Sequence, residues 1–124
     1  MHELSVAHAV VSTVVDALPA EPVRVREVHV RIGALSGVVP QALQFAYEVA
    51  ALDTPLQDAV LRIEQVPVSV HCPACDEDRE LPATTLFRCP SCGTPTGDVR
   101  HGEELEVARI VYDEAPVPAA GGAP

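Results

Sequence analysis

The first part of the chain places hydrophobic and polar residues with the period of an amphipathic helix. From Leu4 to Leu18 the polar residues recur at steps of three or four, which puts them along one side of a helix. These polar positions are Ser5, His8, Ser12 and Asp16. The apolar positions expected to pack inward are Leu4, Ala7, Val11, Val14, Val15 and Leu18. Pro19 should end the helix, because the residue before a proline avoids the helical conformation.

A two-residue alternation then predicts a strand from Val23 to Ile32. One face should carry Val28, Val30 and Ile32, and the other face Glu27, His29 and Arg31. Val23 and Val25 are out of phase with the apolar set, which indicates a bulge or a later start of the strand. We expect His29, on the polar face, to be solvated.

A second helix is predicted after a glycine-containing turn at residues 33–37, with Pro40 at its first position. Its apolar face should consist of Ala42, Phe45, Ala46, Val49 and Leu52. Residues 53–55, which include a proline, should end this helix. Two further strands are expected at Val60–Val66 and Leu105–Tyr112.

Four cysteines in two close pairs carry the most specific chemical signal. The pairs are Cys72-Pro73-Ala74-Cys75 and Cys89-Pro90-Ser91-Cys92, with thirteen residues between them. Two such pairs can surround one ion with four thiolates, the tetrahedral sulfur set that zinc prefers. Gly93 should let the second turn close with a positive φ. A filled tetrahedron leaves no position for an activated water, so we interpret the site as structural zinc.

Other chemistry could use the same cysteines. Two disulfides would need an oxidising compartment, yet the sequence starts without a secretory signal pattern, so we expect a cytoplasmic protein. A redox-active dithiol is usually a single Cys-x-x-Cys at a helix start, not two matched pairs. Iron would accept the same four sulfurs, and it would make a coloured electron carrier.

Together these elements predict an α+β fold, in which a four-cysteine zinc-ribbon domain is inserted into a small α/β domain of two helices and three strands. We assign residues 1–66 with 104–114 to the α/β domain and residues 67–103 to the ribbon. Because two strands flank the cysteine segment, we expect the ribbon at the tip of a hairpin. The apolar residues near the cysteines are mainly Leu81, Leu86 and Phe87. The composition of residues 115–124 predicts a disordered tail.

The charge balance narrows the function. The net charge is −10, from 18 acidic and 8 basic residues, and every base is an arginine. An acidic chain without a basic stripe is poorly suited to nucleic acid, and suits metal cations or a basic protein partner better. No apolar run is long enough to span a membrane. We find no phosphate-binding loop, no Ser/His/Asp arrangement and no His-Glu-x-x-His motif, so we do not expect an enzyme.

The start of the chain is a candidate for a second metal. In Met1-His2-Glu3 the α-amine, the His2 backbone nitrogen and the His2 ring nitrogen can form fused chelate rings, with the Glu3 amide or carboxylate beside them. A nitrogen-rich tetragonal set is the geometry that Ni(II) and Cu(II) prefer. Because amines and imidazoles take up protons near neutral pH, we expect binding to be sensitive to protonation.

Several motifs together resemble the HypA/HybF family of hydrogenase nickel-incorporation proteins, over about residues 1 to 112. They are Met1-His2-Glu3-Leu4-Ser5, Ile32-Gly33 with Leu35-Ser36-Gly37-Val38-Val39-Pro40, a helix containing Phe45, the two cysteine pairs, and Gly102-Glu103-Glu104-Leu105. The resemblance implies that the N-terminal domain binds Ni(II) through the chain terminus and His2, with Glu3 alongside. It also implies that the four cysteines bind zinc.

The same resemblance implies partners. A HypB-type GTPase would accompany the chain, which fits its lack of a phosphate-binding loop, and nickel would go to the large subunit of a nickel-iron hydrogenase. In some organisms urease maturation is a second destination. The loop after the second cysteine pair is shorter than is common in the family. Pro40 stands where some members carry an acidic residue that assists nickel.

Two alternatives concern the surroundings of these sites. His71 and His101 bracket the ribbon and could join the zinc ligands, although we favour ordinary surface or supporting histidines. A rival function is a zinc-ribbon adaptor that mediates protein or nucleic-acid interactions without a second metal. Such an adaptor would hold one zinc and ignore added nickel.

Overall fold

The computed structural model describes residues 2–82 and 86–114. Its helices and strands, in chain order, are α1 (Glu3–Ala17), β1 (Val23–Gly33), α2 (Pro40–Ala50), β2 (Val60–Val66), β3 (Ser69–Cys72), β4 (Glu77–Glu80), β5 (Val99–His101) and β6 (Leu105–Glu114). The predicted α+β class is confirmed. The predictions for Met1 and for the tail at 115–124 fall outside the described residues. No helix in the described part of the chain is long and apolar enough to cross a membrane.

The first sheet has three strands in the order β2-β1-β6. Strand β2 is parallel to β1, and helix α2 supplies the crossover that a parallel pair needs. Strand β6 is antiparallel to β1 and lies on its other side. The predicted hairpin is therefore wrong: β2 and β6 flank the cysteine segment in sequence, but β1 separates them in the sheet.

Helix α1 packs its valine-rich side on this sheet. The predicted polar stripe is confirmed as exposed, and Ala7, Val11 and Val14 are buried as expected. Leu4 and Val15 were predicted to be buried, but they remain 38% and 39% exposed. The buried side is rotated toward two other valines, Val6 and Val10.

Helix α2 corrects the sequence prediction more strongly. Its buried residues are Leu43, Ala46, Tyr47 and Ala50, whereas Phe45, Val49 and Leu52 are 72%, 49% and 56% exposed. Both sets follow helical spacing, so the period alone could not choose between them. The observed orientation gives Tyr47 a partner, because its hydroxyl donates to the Leu56 carbonyl at 3.4 Å, and burial raises the pKa of Tyr47 to about 12.

Strand β1 confirms the predicted bulge and corrects one side chain. The register with β6 shifts between Val25 and Glu27, so that Val25 joins the buried face. His29 is not simply solvated. Its Nε2 lies 2.8 Å from the Glu27 carboxylate and 3.1 Å from the Arg109 guanidinium, within the charged face of the sheet.

The second sheet contains the short strands of the cysteine segment, in the order β4-β3-β5, all antiparallel. A small apolar cluster of Val68, Val70 and Leu81 supports it, with Leu35, Phe87 and Val99 packed around the edge. Leu86, which we expected beside the cysteines, is 61% exposed. Leu35 comes from the loop after β1, so the ribbon takes part of its core from the first half of the chain.

The two sheets meet at a close backbone contact between Gly33 and Gly102. A Cβ on Gly33 would lie 2.0 Å from the Gly102 carbonyl oxygen. Around this contact the Leu35 N–H donates to the Gly102 carbonyl, and the Gly33 N–H to the Glu104 carbonyl, both at 2.7 Å. The Glu104 carboxylate accepts from the Gly102 N–H at 2.7 Å and contacts His101 Nδ1 at 2.9 Å. The junction is thus a network of short backbone hydrogen bonds.

Candidate metal centres

Two matched turns present the four cysteines. In the first turn the Asp76 N–H donates to the Cys72 carbonyl at 2.7 Å, and in the second the Gly93 N–H donates to the Cys89 carbonyl at 2.8 Å. The residue after each pair has a positive φ, 55° at Asp76 and 78° at Gly93. The prediction for Gly93 is confirmed. Asp76 fills the same position in the first turn, which Asp tolerates better than most residues.

The four sulfur atoms converge on one point. All lie within 4.8 Å of one another, and two separations between the pairs are 3.5 Å from Cys72 to Cys92 and 3.9 Å from Cys75 to Cys89. These distances exclude disulfides, in which the sulfurs are about 2.05 Å apart. A tetrahedron with metal–sulfur bonds of about 2.3 Å has edges of about 3.8 Å. The spacing therefore fits a tetrahedral ion such as zinc.

Thiols this close affect one another's ionisation. Burial is the largest single influence and raises the pKa of Cys89, but hydrogen bonds from the backbone N–H groups of Cys92 and Ser91 and from neighbouring thiols together lower it to about 6. Arg79 lowers the pKa of Cys75, yet the neighbouring thiols Cys92 and Cys72 raise it to about 11. Four thiolates cannot coexist here without added positive charge, which a divalent ion would supply.

Arg79 is a component that the sequence analysis missed. It lies on β4, and its Nε is buried without a hydrogen-bond partner among the described residues. Its guanidinium lies beside Cys75, which raises the pKa of Arg79. Four thiolates around a divalent ion carry a net charge of about −2, so a partly buried cation beside them fits this surrounding. The Arg79 guanidinium also pairs with Glu77 at 3.0 Å. Arg79 lies four residues after Cys75. The alternation of side chains along β4 is the sequence pattern that could have pointed to it.

The two histidines near the ribbon are held by carboxylates. His71 Nδ1 lies 2.9 Å from Asp78 and its Nε2 lies 3.5 Å from Asp76, while His101 Nδ1 lies 2.9 Å from Glu104. Within residues 2–82 and 86–114, the cluster of potential metal ligands contains the four cysteines and neither histidine. Both imidazole rings therefore lie outside the cysteine cluster and contact carboxylates instead.

The N-terminal candidates lie at the start of α1. His2 is exposed and is the N-cap residue, with extended backbone angles, and its carbonyl accepts the Val6 N–H at 3.2 Å. The first N–H groups of a helix have no partner within the helix, so nitrogen atoms near His2 lie outside its hydrogen-bond ladder. His8 is also exposed, more than a turn further along.

Glu3 links the starts of the two helices. Its Oε2 accepts the N–H of Val39, the N-cap residue of α2, at 3.2 Å. This hydrogen bond, followed by one from its own N–H, lowers the pKa of Glu3. The carboxylate is thus turned toward α2, and Pro40 beside Val39 adds no acidic group there. The contact links the start of α1 to the start of α2.

The chain is similar to known proteins over most of its length. Residues 1–112 match the family model described as hydrogenase/urease nickel incorporation, metallochaperone, hypA. A hydrogenase maturation factor HypA of Chloroflexus aggregans is 49% identical over 112 residues, covering 89% of this chain and 97% of that protein. One from Streptomyces avermitilis is 34% identical over 116 residues, covering 92% of this chain and 88% of that protein.

Solved structures share the fold. The solution structure of the Ni metallochaperone HypA from Helicobacter pylori superposes with a TM-score of 0.59 at 23% identity, covering 89% of this chain and 96% of that one. A second HypA solution structure gives the same TM-score at 20% identity, covering 93% and 98%. From the family match and the identity to the curated relatives, the chain belongs to the HypA family of hydrogenase and urease nickel-incorporation metallochaperones.

Proposed function

We propose that this chain binds Ni(II) at its N-terminus and delivers it to the large subunit of a nickel-iron hydrogenase during maturation. The observation that carries the proposal is the exposed His2 at the start of α1, beside nitrogen atoms outside the helix ladder. The ligands are the Met1 amine, the backbone and ring nitrogens of His2, and a donor from Glu3. The Glu3 amide is a better candidate ligand than the Glu3 carboxylate, because the carboxylate is hydrogen-bonded to the Val39 N–H.

The position of this site favours release of the ion. The Glu3–Val39 hydrogen bond brings the N-terminal ends of α1 and α2 together. Both helix ends carry partial positive charge, which opposes a bound cation. An exposed ligand set in such a field should exchange its metal readily, as a cargo site must.

Zinc is the resident ion in the second part of the proposal, bound by Cys72, Cys75, Cys89 and Cys92. The sulfur spacing supports a tetrahedral ion, and Cys72 and Cys89 are almost fully buried. When bound, zinc supplies structural cross-linking and no open coordination position. The residues around it form the ribbon domain, 67–103, and residues 1–66 with 104–114 form the nickel-binding domain.

The partners follow from the same proposal. A HypB-type GTPase supplies the nucleotide hydrolysis, for which this chain has no phosphate-binding loop. The clients are the hydrogenase large subunit and, in some organisms, urease accessory proteins. The chain is a cytoplasmic carrier and not an enzyme.

Nickel titration of tag-free protein tests the proposal. His2→Ala should weaken Ni(II) binding by about 100-fold or more, since loss of supporting residues alone costs 10- to 100-fold at metal sites. His8→Ala is the matched control, because it removes an exposed imidazole from the same helix. Added residues before Met1 should weaken binding as well. Equal nickel affinity in His2→Ala and the wild-type protein would rule out the proposed site.

A further inference from the structure

Helix α2 exposes a row of large apolar side chains in addition to its buried side. Phe45 and Val49 are four residues apart, and the turn after α2 continues the row to Leu52 through the hydrogen bond from the Leu52 N–H to the Val49 carbonyl. They are 72%, 49% and 56% exposed. We call these three residues the apolar row. A contiguous exposed group of this kind usually marks an interaction site.

The helical part of the chain contains acidic side chains but no arginine or lysine. Residues 1–23 and 34–61 contain both helices and no arginine or lysine. Their acidic residues are Glu3, Asp16, Glu21, Glu48, Asp53 and Asp58. The arginines lie on strands or in the second cysteine turn, at positions 24, 26, 31, 62, 79, 88, 100 and 109. The chain is thus divided into an acidic helical layer and a sheet side of mixed charge.

Two of these carboxylates border the apolar row. Glu48 precedes Val49 and Asp53 follows Leu52 in sequence, and both are exposed. Neither forms an ion pair within the described ranges, whereas Glu27, Glu64 and Glu106 on the sheet pair with arginines or histidine. An apolar centre with unneutralised acidic residues at its border is complementary to a basic ligand.

This charge pattern excludes two other occupants. A second copy of the chain docking through the same face would bring two acidic layers together, which costs free energy. An anionic membrane surface would repel the same layer, since membrane-binding helices carry Lys and Arg on their polar side.

We propose that the apolar row is the docking site for a basic, amphipathic segment of a partner protein, whose apolar side chains pack on Phe45 while its Lys or Arg residues pair with Glu48 and Asp53. The Glu3–Val39 hydrogen bond joins the start of α2 to the start of α1, so the docked segment lies on a helix whose N-cap residue is hydrogen-bonded to the residue after His2. Any effect of docking on nickel release rests on the proposed nickel function. The binding surface itself does not depend on it.

Two synthetic helical peptides serve as probes, each with leucines along one side. One carries lysines and its match carries glutamates at the same positions. We measure their affinity for the full chain by fluorescence anisotropy at low and high salt, and map the contacts by amide chemical shifts. The lysine peptide should bind, shift the signals of the apolar row and weaken with salt. The glutamate peptide should not bind.

Substitutions then test the residues. Phe45→Ser should lower the affinity for the lysine peptide by about 10-fold or more, as expected for a central aromatic contact. Tyr112→Ser is the control, because it removes an aromatic residue of 42% exposure from β6. The double change Glu48→Arg with Asp53→Asn should weaken binding of the lysine peptide and allow the glutamate peptide to bind. Asn is chosen because Asp53 has a φ of 61°, which Asn tolerates better than Arg. Phe45, Glu48 and Asp53 are all exposed, so the thermal unfolding midpoints of these variants should stay near that of the wild-type protein.

Certain results would overturn the docking site: equal affinity for both peptides, an equal loss from Tyr112→Ser, or chemical shifts confined to the sheet. Nickel affinity separates this inference from the proposed function. Phe45→Ser should bind Ni(II) as the wild-type protein does. If the wild-type chain binds no nickel but still binds the lysine peptide through Phe45, the nickel proposal fails and the docking site stands.

Discussion

The two candidate metal sites differ in how the fold constrains them. The cysteine cluster is built from two hydrogen-bonded turns, with four sulfurs within 4.8 Å of one another and the partly buried Arg79 beside them. The N-terminal site consists of an exposed residue at a helix start, and one side-chain hydrogen bond positions it. A preorganised, enclosed set of thiolates holds an ion tightly, whereas an exposed terminus exchanges it. Under the proposed function, the exposed N-terminal site holds the transported nickel and the enclosed cysteine site holds the permanent zinc.

The largest expected effect comes from removing one sulfur. Cys89→Ser should abolish stoichiometric zinc and unfold the ribbon, since structural zinc contributes on the order of 10 kcal/mol to folding of such modules. Amide hydrogen exchange should then show loss of protection in β3, β4 and β5, and retained protection in β1. Ser91→Ala in the same turn should keep zinc. Full zinc content in Cys89→Ser would contradict the structural assignment.

A second prediction concerns the arginine beside the sulfurs. Arg79→Gln should speed the loss of zinc to a competing chelator by about 10-fold, because the charged metal–thiolate group loses its nearby cation. Arg100→Gln removes the same charge from the ribbon, but its guanidinium is paired with Asp98 instead of the cysteines. It should leave the rate unchanged. Similar rates for both variants would show that Arg79 has no special role.

A smaller effect is expected at the junction between the sheets. His101 and then the Gly102 N–H lower the pKa of Glu104 below its usual value of 4.5. A depressed carboxyl pKa stabilises the folded state above the unfolded pKa, and that contribution disappears as the pH falls through the folded pKa. Glu104→Gln should therefore lower the free energy of unfolding by about 1–2 kcal/mol at neutral pH.

Urea unfolding at several pH values measures this contribution of the Glu104 carboxylate to stability. The difference between the wild-type protein and Glu104→Gln should shrink as the solution is acidified below about pH 4.5, the ordinary range of a Glu carboxyl. Glu103→Gln is the control, because its side chain is exposed and next in sequence. A difference that stays constant down to acid pH would show that the carboxylate charge is not involved.

The sequence predicted those features that depend on local spacing. The cysteine pairs, the positive φ of Gly93 and the bulge near Val25 all follow from short-range patterns. The sheet order could not be predicted in this way, because the position of β6 depends on pairing with β1 across many residues. The same limit applied to the contact of Gly33 with Gly102 and to Leu35 in the ribbon core.

The error in α2 has a different origin. The helix has apolar residues on two sides, and the period fits either choice. Burial of Leu43 and Tyr47 was decided by the sheet beneath them and by the carbonyl that receives the Tyr47 hydroxyl. The other apolar side, which carries the apolar row, therefore stays exposed. At the N-terminus, sequence indicated His2 but not the contact of Glu3 with Val39, which joins residues 36 positions apart.

Chelator challenge of the doubly loaded protein tests the contrast most directly. Tag-free chain holding one nickel and one zinc is mixed with EDTA, and both metals released are followed over time by mass spectrometry. Nickel should leave in a fast phase that is absent in His2→Ala, while zinc stays bound. If nickel and zinc leave together at one rate, or nickel is retained in His2→Ala, the two sites are not the separate labile and permanent sites described above.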